Sequence, residues 1–285
     1  MVDRREPNCG MSMKTLKHVF DLRGRVAVIT GGAGLLGRQH AAAIHAFGGI
    51  PVVADLDLAR AKATARAVGR RAFGIELDVT RPESIATVRD ILVRRFKRID
   101  ILINNAALDP KVGPGTGKNL LGRLEDLDPK MFQMELAVGL TGAVLCSKYF
   151  GEQMARQGGG VILNIASDLG LIAPDQRLYA KPGMPATAQP KKPVGYSVVK
   201  SGLLGLTRYL ATYWAMEGVR ANALCPGGVE NGQPPDFLER IHQLIPLGRM
   251  ARVNEYQGAV VFLCSDASAY MNGSVIAMDG GRSAW

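Results

Sequence analysis

The feature that most restricts the fold is a series of seven short segments rich in β-branched and aliphatic residues, separated by longer stretches, most of them with helical periodicity. They are RVAVIT (25–30), IPVVAD (50–55), AFGIEL (72–77), DILIN (100–104), GVILNIA (160–166), VRANALC (219–225) and SVIAM (274–278). Each is apolar nearly throughout rather than at alternate positions, so both faces of each strand must be covered. Helix-bearing links imply parallel order. The spacing predicts helices near 35–47, 57–68, 82–97, 130–156, 196–217 and 254–266. Together these predict an α/β fold, a doubly wound parallel sheet of about seven strands with helices on both faces, in a single domain.

Composition agrees with that architecture and removes others. The 285 residues are 47% hydrophobic and 21% charged, the balance of a globular chain. No apolar run approaches the roughly 18 residues of a membrane span. Residues 1–20 carry charge without a continuous apolar stretch and read as a loosely ordered extension, with Met11 or Met13 as alternative starts. Cys9, Cys146, Cys225 and Cys264 form no C-x-x-C pair, which fits a reducing cytoplasm and no disulfide framework. The histidines show no metal-binding spacing, so no metal is expected. The net charge of +10 suits an anionic small substrate or plain solubility as well as nucleic acid. Its densest run, RRFKR at 94–98, ends a helix whose Ile85, Val88, Leu92 and Phe96 keep helical spacing, and reads as a solvated face complementing the helix dipole.

The first strand runs into TGGAGLLG (30–37) and then a helical pattern. Gly31, Gly34 and Gly37 allow a sharp turn, approach of a pyrophosphate to the helix N-terminus, and close helix packing. Asp55 closes the second strand, where a carboxylate accepts hydrogen bonds from a ribose diol and repels a 2′-phosphate; NAD is therefore expected, with NADP disfavoured and Arg38 and Arg60 softening the preference. Asp57 suits the capping role in the next helix. Asp78 ends the third strand, as an adenine contact or a turn residue. In GYSVVK (195–200) the i to i+4 spacing puts Tyr196 and Lys200 on one helix face. A free tyrosine titrates near about 10, too high for proton exchange at neutral pH, and a neighbouring cation lowers it.

TGGAGLLG, NNAA (104–107), NIAS (164–167), YSVVK, PGGV (226–229) and MDGG (278–281) occur in the order of the short-chain dehydrogenase/reductases, and residues 20–285 resemble the compact single-domain branch of that family. The resemblance implies a Rossmann-type fold, with 21–285 as the dinucleotide-binding catalytic domain. It implies catalytic roles for Ser167, Tyr196 and Lys200. Tyr196 exchanges a proton with the substrate oxygen, Lys200 also holds the nicotinamide ribose, and Ser167 steadies the reacting oxygen, although a cap role for Ser167 is open. Cofactor contacts are expected from Gly31, Gly34, Leu35, Leu36, Gly37, Asp55, Leu56, Asp78, Val79, Asn105, Ala106, Ala107, Tyr196, Lys200, Pro226, Gly227, Gly228 and Val229. Asn104 reads equally well as a turn residue. The implied partners are a small-molecule substrate and further copies of the chain, as homotetramer or homodimer through helices 130–156 and 196–217, with no nucleic acid and no membrane.

Three departures stand out. Leu35 occupies the compact branch's middle-glycine position, giving a spacing common in extended-branch epimerases and dehydratases. Gly139, in GLTG, stands where the family has a relay asparagine, leaving space that a water would fill. Glu230 and Asn231 replace the usual threonine environment. An NAD-retaining epimerase or dehydratase, or a non-catalytic dinucleotide sensor, are the alternatives to a hydride-transferring dehydrogenase acting on a secondary alcohol or ketone of a carbohydrate. Residues 168–195 form an unusually long, proline-rich insertion carrying Arg177, Lys181, Lys191 and Lys192 against Asp168 and Asp175. That excess suggests an anionic sugar, or equally a solvated loop. Residues 229–250 form the opposite wall and are expected to move as a lid. These segments and the C-terminal one are also similar to bacterial oxidoreductases of surface-sugar and flagellar-glycan pathways.

Overall fold

A computed structural model describes residues 18–108 and 122–285. All seven predicted strands form: β1 (Val26–Thr30), β2 (Ile50–Asp55), β3 (Phe73–Glu76), β4 (Ile101–Asn104), β5 (Gly160–Ile165), β6 (Val219–Pro226) and β7 (Val275–Met278). They make one sheet in the order β3-β2-β1-β4-β5-β6-β7, every pair parallel.

The uninterrupted apolar character of the strands has a direct cause in this sheet. Val26, Val28, Val52, Leu102 and Ile162 point into one core, and Ala27, Ile29, Val53, Ile101 and Leu163 into the other. Burial of each aliphatic side chain contributes roughly 1.5–3 kcal/mol. The first core is covered by α3 (Pro82–Phe96), α5 (Gly142–Arg156) and α6 (Val194–Tyr213), which bring Ile85, Val88, Leu92, Phe150, Met154 and Leu210. The second is covered by α1 (Leu35–Ala46), α2 (Leu58–Val68) and α8 (Gln257–Cys264), which bring Ile44, Ala61, Val260 and Leu263.

The structure departs from the sequence expectation in the helices. The predicted 130–156 helix is divided into α4 (Pro129–Leu136) and α5 by a π turn over Ala137–Thr141. Glycines at 139 and 142 weaken helical propensity there. Helix α6 begins at Val194, behind Pro193, and ends at Tyr213 rather than 217; α8 begins at Gln257 rather than 254. Helix α7 (Pro235–His242) was hidden by its proline-rich surroundings; proline at the first helical turn costs no hydrogen bond. In the insertion, short 3₁₀ turns form at Asp168–Gly170, Gln176–Tyr179 and Ala186–Ala188. Gln189 clamps the segment by accepting from Lys181 N and donating to Lys181 O, at 2.7 and 2.9 Å. Of the expected N-terminal extension, residues 1–17, with Cys9, lie outside the described residues. Among the described residues no helix is long and apolar enough to cross a membrane, and no cluster of histidine, cysteine and carboxylate side chains could hold a metal ion.

Candidate active site

Strand order reverses between β1 and β4, the place where doubly wound sheets open a crevice at their carboxyl edge. A cavity of about 1300 Å³ lies there. It is lined by every predicted site residue except Gly37. That glycine serves packing: a Cβ on it would collide with the Gly31 carbonyl and the Gly32 backbone.

The wall formed by the glycine-rich turn is held by bonds to main-chain atoms. Gly31 has φ +59°, a left-handed conformation that favours glycine, and a Cβ there would stand 3.0 Å from Ala106 Cα. Asn105 Nδ2 donates to the Thr30 and Gly31 carbonyls at 3.0 and 3.1 Å, while Thr30 Oγ1 accepts from Asn105 N and Ala106 N. Asp55 Oδ2 accepts from Ala33 N at 3.0 Å, fixing the carboxylate beside the turn. Arg38 Nε and Arg60 Nη2 both donate to the Ala33 carbonyl, and Arg60 lines the cavity. Asp57 caps α2 as expected, accepting from Arg60 N. Asp78 lines the cavity and is also a turn residue, its Oδ1 accepting from Thr80 N and Oγ1 at 2.9 and 2.6 Å. Beneath the turn, His40 of α1 is fully buried, and neither ring nitrogen has a hydrogen-bond partner. Burial lowers its pKa to about 4.

The second wall carries Ser167, Tyr196 and Lys200. Lys200 is buried; its Nζ donates to the Ile165 carbonyl at 2.7 Å and lies 5.6 Å from the centroid of the Tyr196 ring. Lys192, from the insertion, puts its Nζ 4.2 Å from the same centroid. Ser167 Oγ donates to Asp168 Oδ1 at 2.7 Å and accepts from Leu169 N at 3.2 Å, so this serine takes the cap role that was left open. Gly139 sits in the π turn against α6. The room it leaves is not open for water at the Cβ position, because Val199 Cγ1 stands 2.5 Å from that point.

Asn104 is more than a turn residue. Its Nδ2 donates to Ser147 Oγ and Asn164 Oδ1, and Asn164 Nδ2 donates to Thr207 Oγ1 at 2.8 Å, a buried polar chain linking β4, β5, α5 and α6. After β6, Tyr256 donates from its hydroxyl to the Gly227 carbonyl at 2.9 Å. Burial, with the charges of Asp168, Glu255 and Asp279, pushes this phenol up, so it is a neutral strut for the turn. Burial also raises Cys225 to about 11 and Cys264 to about 12, which removes both as thiolates at neutral pH.

The outer part of the cavity joins segments that sequence reasoning treated separately. Tyr179 of the insertion contacts Phe237 of α7, ring centroids 5.8 Å apart, and Arg240 Nε donates to the Leu178 carbonyl. Of the insertion's four cations, Lys181 and Lys192 line the cavity, and Lys191 and Arg177 do not. Sequence reasoning missed Arg240 and Arg282 as lining residues and counted Asp168 only as a charge. The one available signal was a charged residue directly after NIAS and another directly after MDGG.

A parallel sheet with a glycine-rich first turn and its cleft at the strand-order reversal defines a Rossmann-type nucleotide-binding protein. Residues 25–180 match the short chain dehydrogenase family, and residues 184–283 match enoyl-(acyl carrier protein) reductase. The chain therefore belongs to the short-chain dehydrogenase/reductase family and is an oxidoreductase of that family. It is 32% identical to a cis-4-hydroxycyclohexanecarboxylate dehydrogenase from Sinomonas cyclohexanicum, over 91% of this chain and 97% of that one. It is 33% identical to a D-threitol dehydrogenase from Mycolicibacterium smegmatis, over 92% and 94% of the two chains. Among solved structures, a gluconate 5-dehydrogenase from Burkholderia cenocepacia in complex with NADP and tartrate superposes with TM-score 0.81 at 27% identity, covering 94% of this chain and 98% of that one.

Proposed function

We propose that this chain is an NAD-dependent dehydrogenase/reductase that interconverts a secondary alcohol and a ketone on a hydroxylated, anionic substrate such as a sugar derivative. The observation that carries the reading is the meeting of Tyr196, Lys200 and Ser167 in one cavity with the glycine-rich turn. The nicotinamide dinucleotide used by the family fits that turn: Gly31 keeps it narrow, and Asp55 stands where a ribose diol is read. When bound, the nicotinamide supplies the hydride acceptor or donor. Tyr196 gives or takes the proton at its phenol oxygen. Lys200, anchored on the Ile165 carbonyl, keeps positive charge beside that phenol, which favours the phenolate. Ser167 steadies the reacting oxygen by a hydrogen bond.

Asp55 favours NAD, whereas Arg38 and Arg60, both bonded to the Ala33 carbonyl, narrow that preference. Lys181, Lys192 and Arg240 in the cavity lining support an anionic substrate, Lys181 and Arg240 outnumbering the one carboxylate, Asp236, that they share, as does the relatives' chemistry, two of them named for hydroxylated acids. Exposed Val198, Tyr209 and Tyr213 on α6 support an interface between copies of the chain.

Tyr196→Phe tests the assignment. It is expected to keep NADH binding, read by fluorescence, and to lower kcat at least about a hundredfold; full activity refutes it. Net accumulation of NADH separates this reading from a cofactor-retaining epimerase.

A further inference from the structure

Asp168 and Arg282 stand 114 positions apart in the chain, yet they form an ion pair on the cavity wall, Arg282 Nη1 donating to Asp168 Oδ2 at 2.8 Å. Their side chains are only 4% and 9% exposed. Burying two charges costs desolvation, and apolar residues of similar volume would hold this seam at least as well. The pair therefore calls for an account beyond packing.

That account lies in the second carboxylate oxygen. Asp168 Oδ1 accepts from Ser167 Oγ at 2.7 Å and from Leu169 N at 2.8 Å. A serine hydroxyl has one hydrogen, and a carboxylate paired with a guanidinium only accepts. The Ser167 hydrogen is thus directed at Asp168. To hydrogen-bond a reacting oxygen, that hydrogen has to turn away from an ionic acceptor, and bonds to charged groups are stronger than those between neutral ones. Arg282 lowers that barrier by sharing the carboxylate's charge. The turn that carries Arg282 is itself pinned: Gly281 N and Ser283 N donate to the two carboxylate oxygens of Asp279.

We propose that Asp168 and Arg282 are a positioning pair acting through Ser167. The carboxylate holds the hydroxyl hydrogen while substrate is absent, and the guanidinium keeps that hold weak enough for the hydroxyl to rotate about Cβ–Oγ onto the reacting oxygen when substrate arrives. No covalent bond changes in this step. The proposal rests on Ser167 contacting that oxygen, as argued above. It ties the turn after β7 to the reacting centre.

The test is a double-mutant cycle on the full chain, with kcat measured for Ser167→Ala, Arg282→Met and the double variant. The assay is NAD reduction with D-threitol, glycerol, D-gluconate and cis-4-hydroxycyclohexanecarboxylate, the cycle being run on whichever the native protein oxidises fastest. Arg282→Met is expected to lower kcat about tenfold in the native background and less than about twofold in the Ser167→Ala background, with NADH affinity unchanged. Arg282→Lys restores most of the loss. Equal drops in both backgrounds overturn the proposal in favour of a purely structural pair, and so does an unchanged kcat for Arg282→Met. If Arg282→Met does not fold, Asp168→Asn, which keeps an acceptor oxygen in the same shape, carries the same cycle. Full activity of Tyr196→Phe overturns the underlying reading of the site; an inactive Tyr196→Phe with an additive cycle overturns the pair alone. A native protein that binds NADH but oxidises none of the four overturns both.

Discussion

The two ends of the cavity are built by different means. Around the glycine-rich turn, side chains bond to main-chain atoms: Asn105 to the Thr30 and Gly31 carbonyls, Asp55 to Ala33 N, Arg38 and Arg60 to the Ala33 carbonyl. At the other end, lined by the insertion, side chains meet side chains: Tyr179 with Phe237 and Asp168 with Arg282 across distant segments, and Lys192 with Tyr196 four positions on. Main-chain contacts demand a backbone path and tolerate few residue types. Side-chain contacts between loops demand a pairing that many residue combinations satisfy. The first end is set by the backbone path, and the second by which side chains the loops bring together.

The comparison is tested most strongly at Asp55. If the glycine-rich end reads the ribose, Asp55→Ala lowers the ratio of kcat/KM with NADH to that with NADPH by about a hundredfold, since a like-charge contact costs several kcal/mol; an unchanged ratio removes Asp55 from that role. A smaller effect is expected at His40. Its folded pKa, about 4, lies below the usual 6.5, so the unfolded chain takes up a proton first as pH falls. The stability this neutral imidazole contributes is complete above pH 6.5 and is lost as pH falls through about 4. Urea unfolding of the native protein should show about 2 kcal/mol more loss between pH 7 and pH 5 than a His40→Gln variant. Parallel pH curves for the two would dismiss it. The smallest effect is expected at the substrate end. Lys192→Gln should raise KM for D-gluconate about fivefold, matching about 1 kcal/mol for a partly exposed charge contact, and leave neutral D-threitol unchanged. Lys191, outside the cavity lining, is the control. Equal KM changes for both substrates, or for both lysines, would erase the distinction between a charge-reading wall and a solvated loop.

Sequence alone determined the sheet, because a strand buried on both faces must be apolar along its whole length and that pattern is local. It also determined the glycine-rich turn, Asp55, and the Tyr196 and Lys200 spacing, since a helix turn or a strand end places neighbours by covalent geometry. Tertiary structure decided the rest. The packing of Val199 against Gly139 of the π turn, the docking of helix α7 against the insertion, and the pairing of Asp168 with Arg282 all depend on it. Such pairings leave no period or spacing in a one-dimensional pattern, because nothing in the local chain obliges residue 168 to meet residue 282 until the sheet brings β5 and the turn after β7 to the same edge.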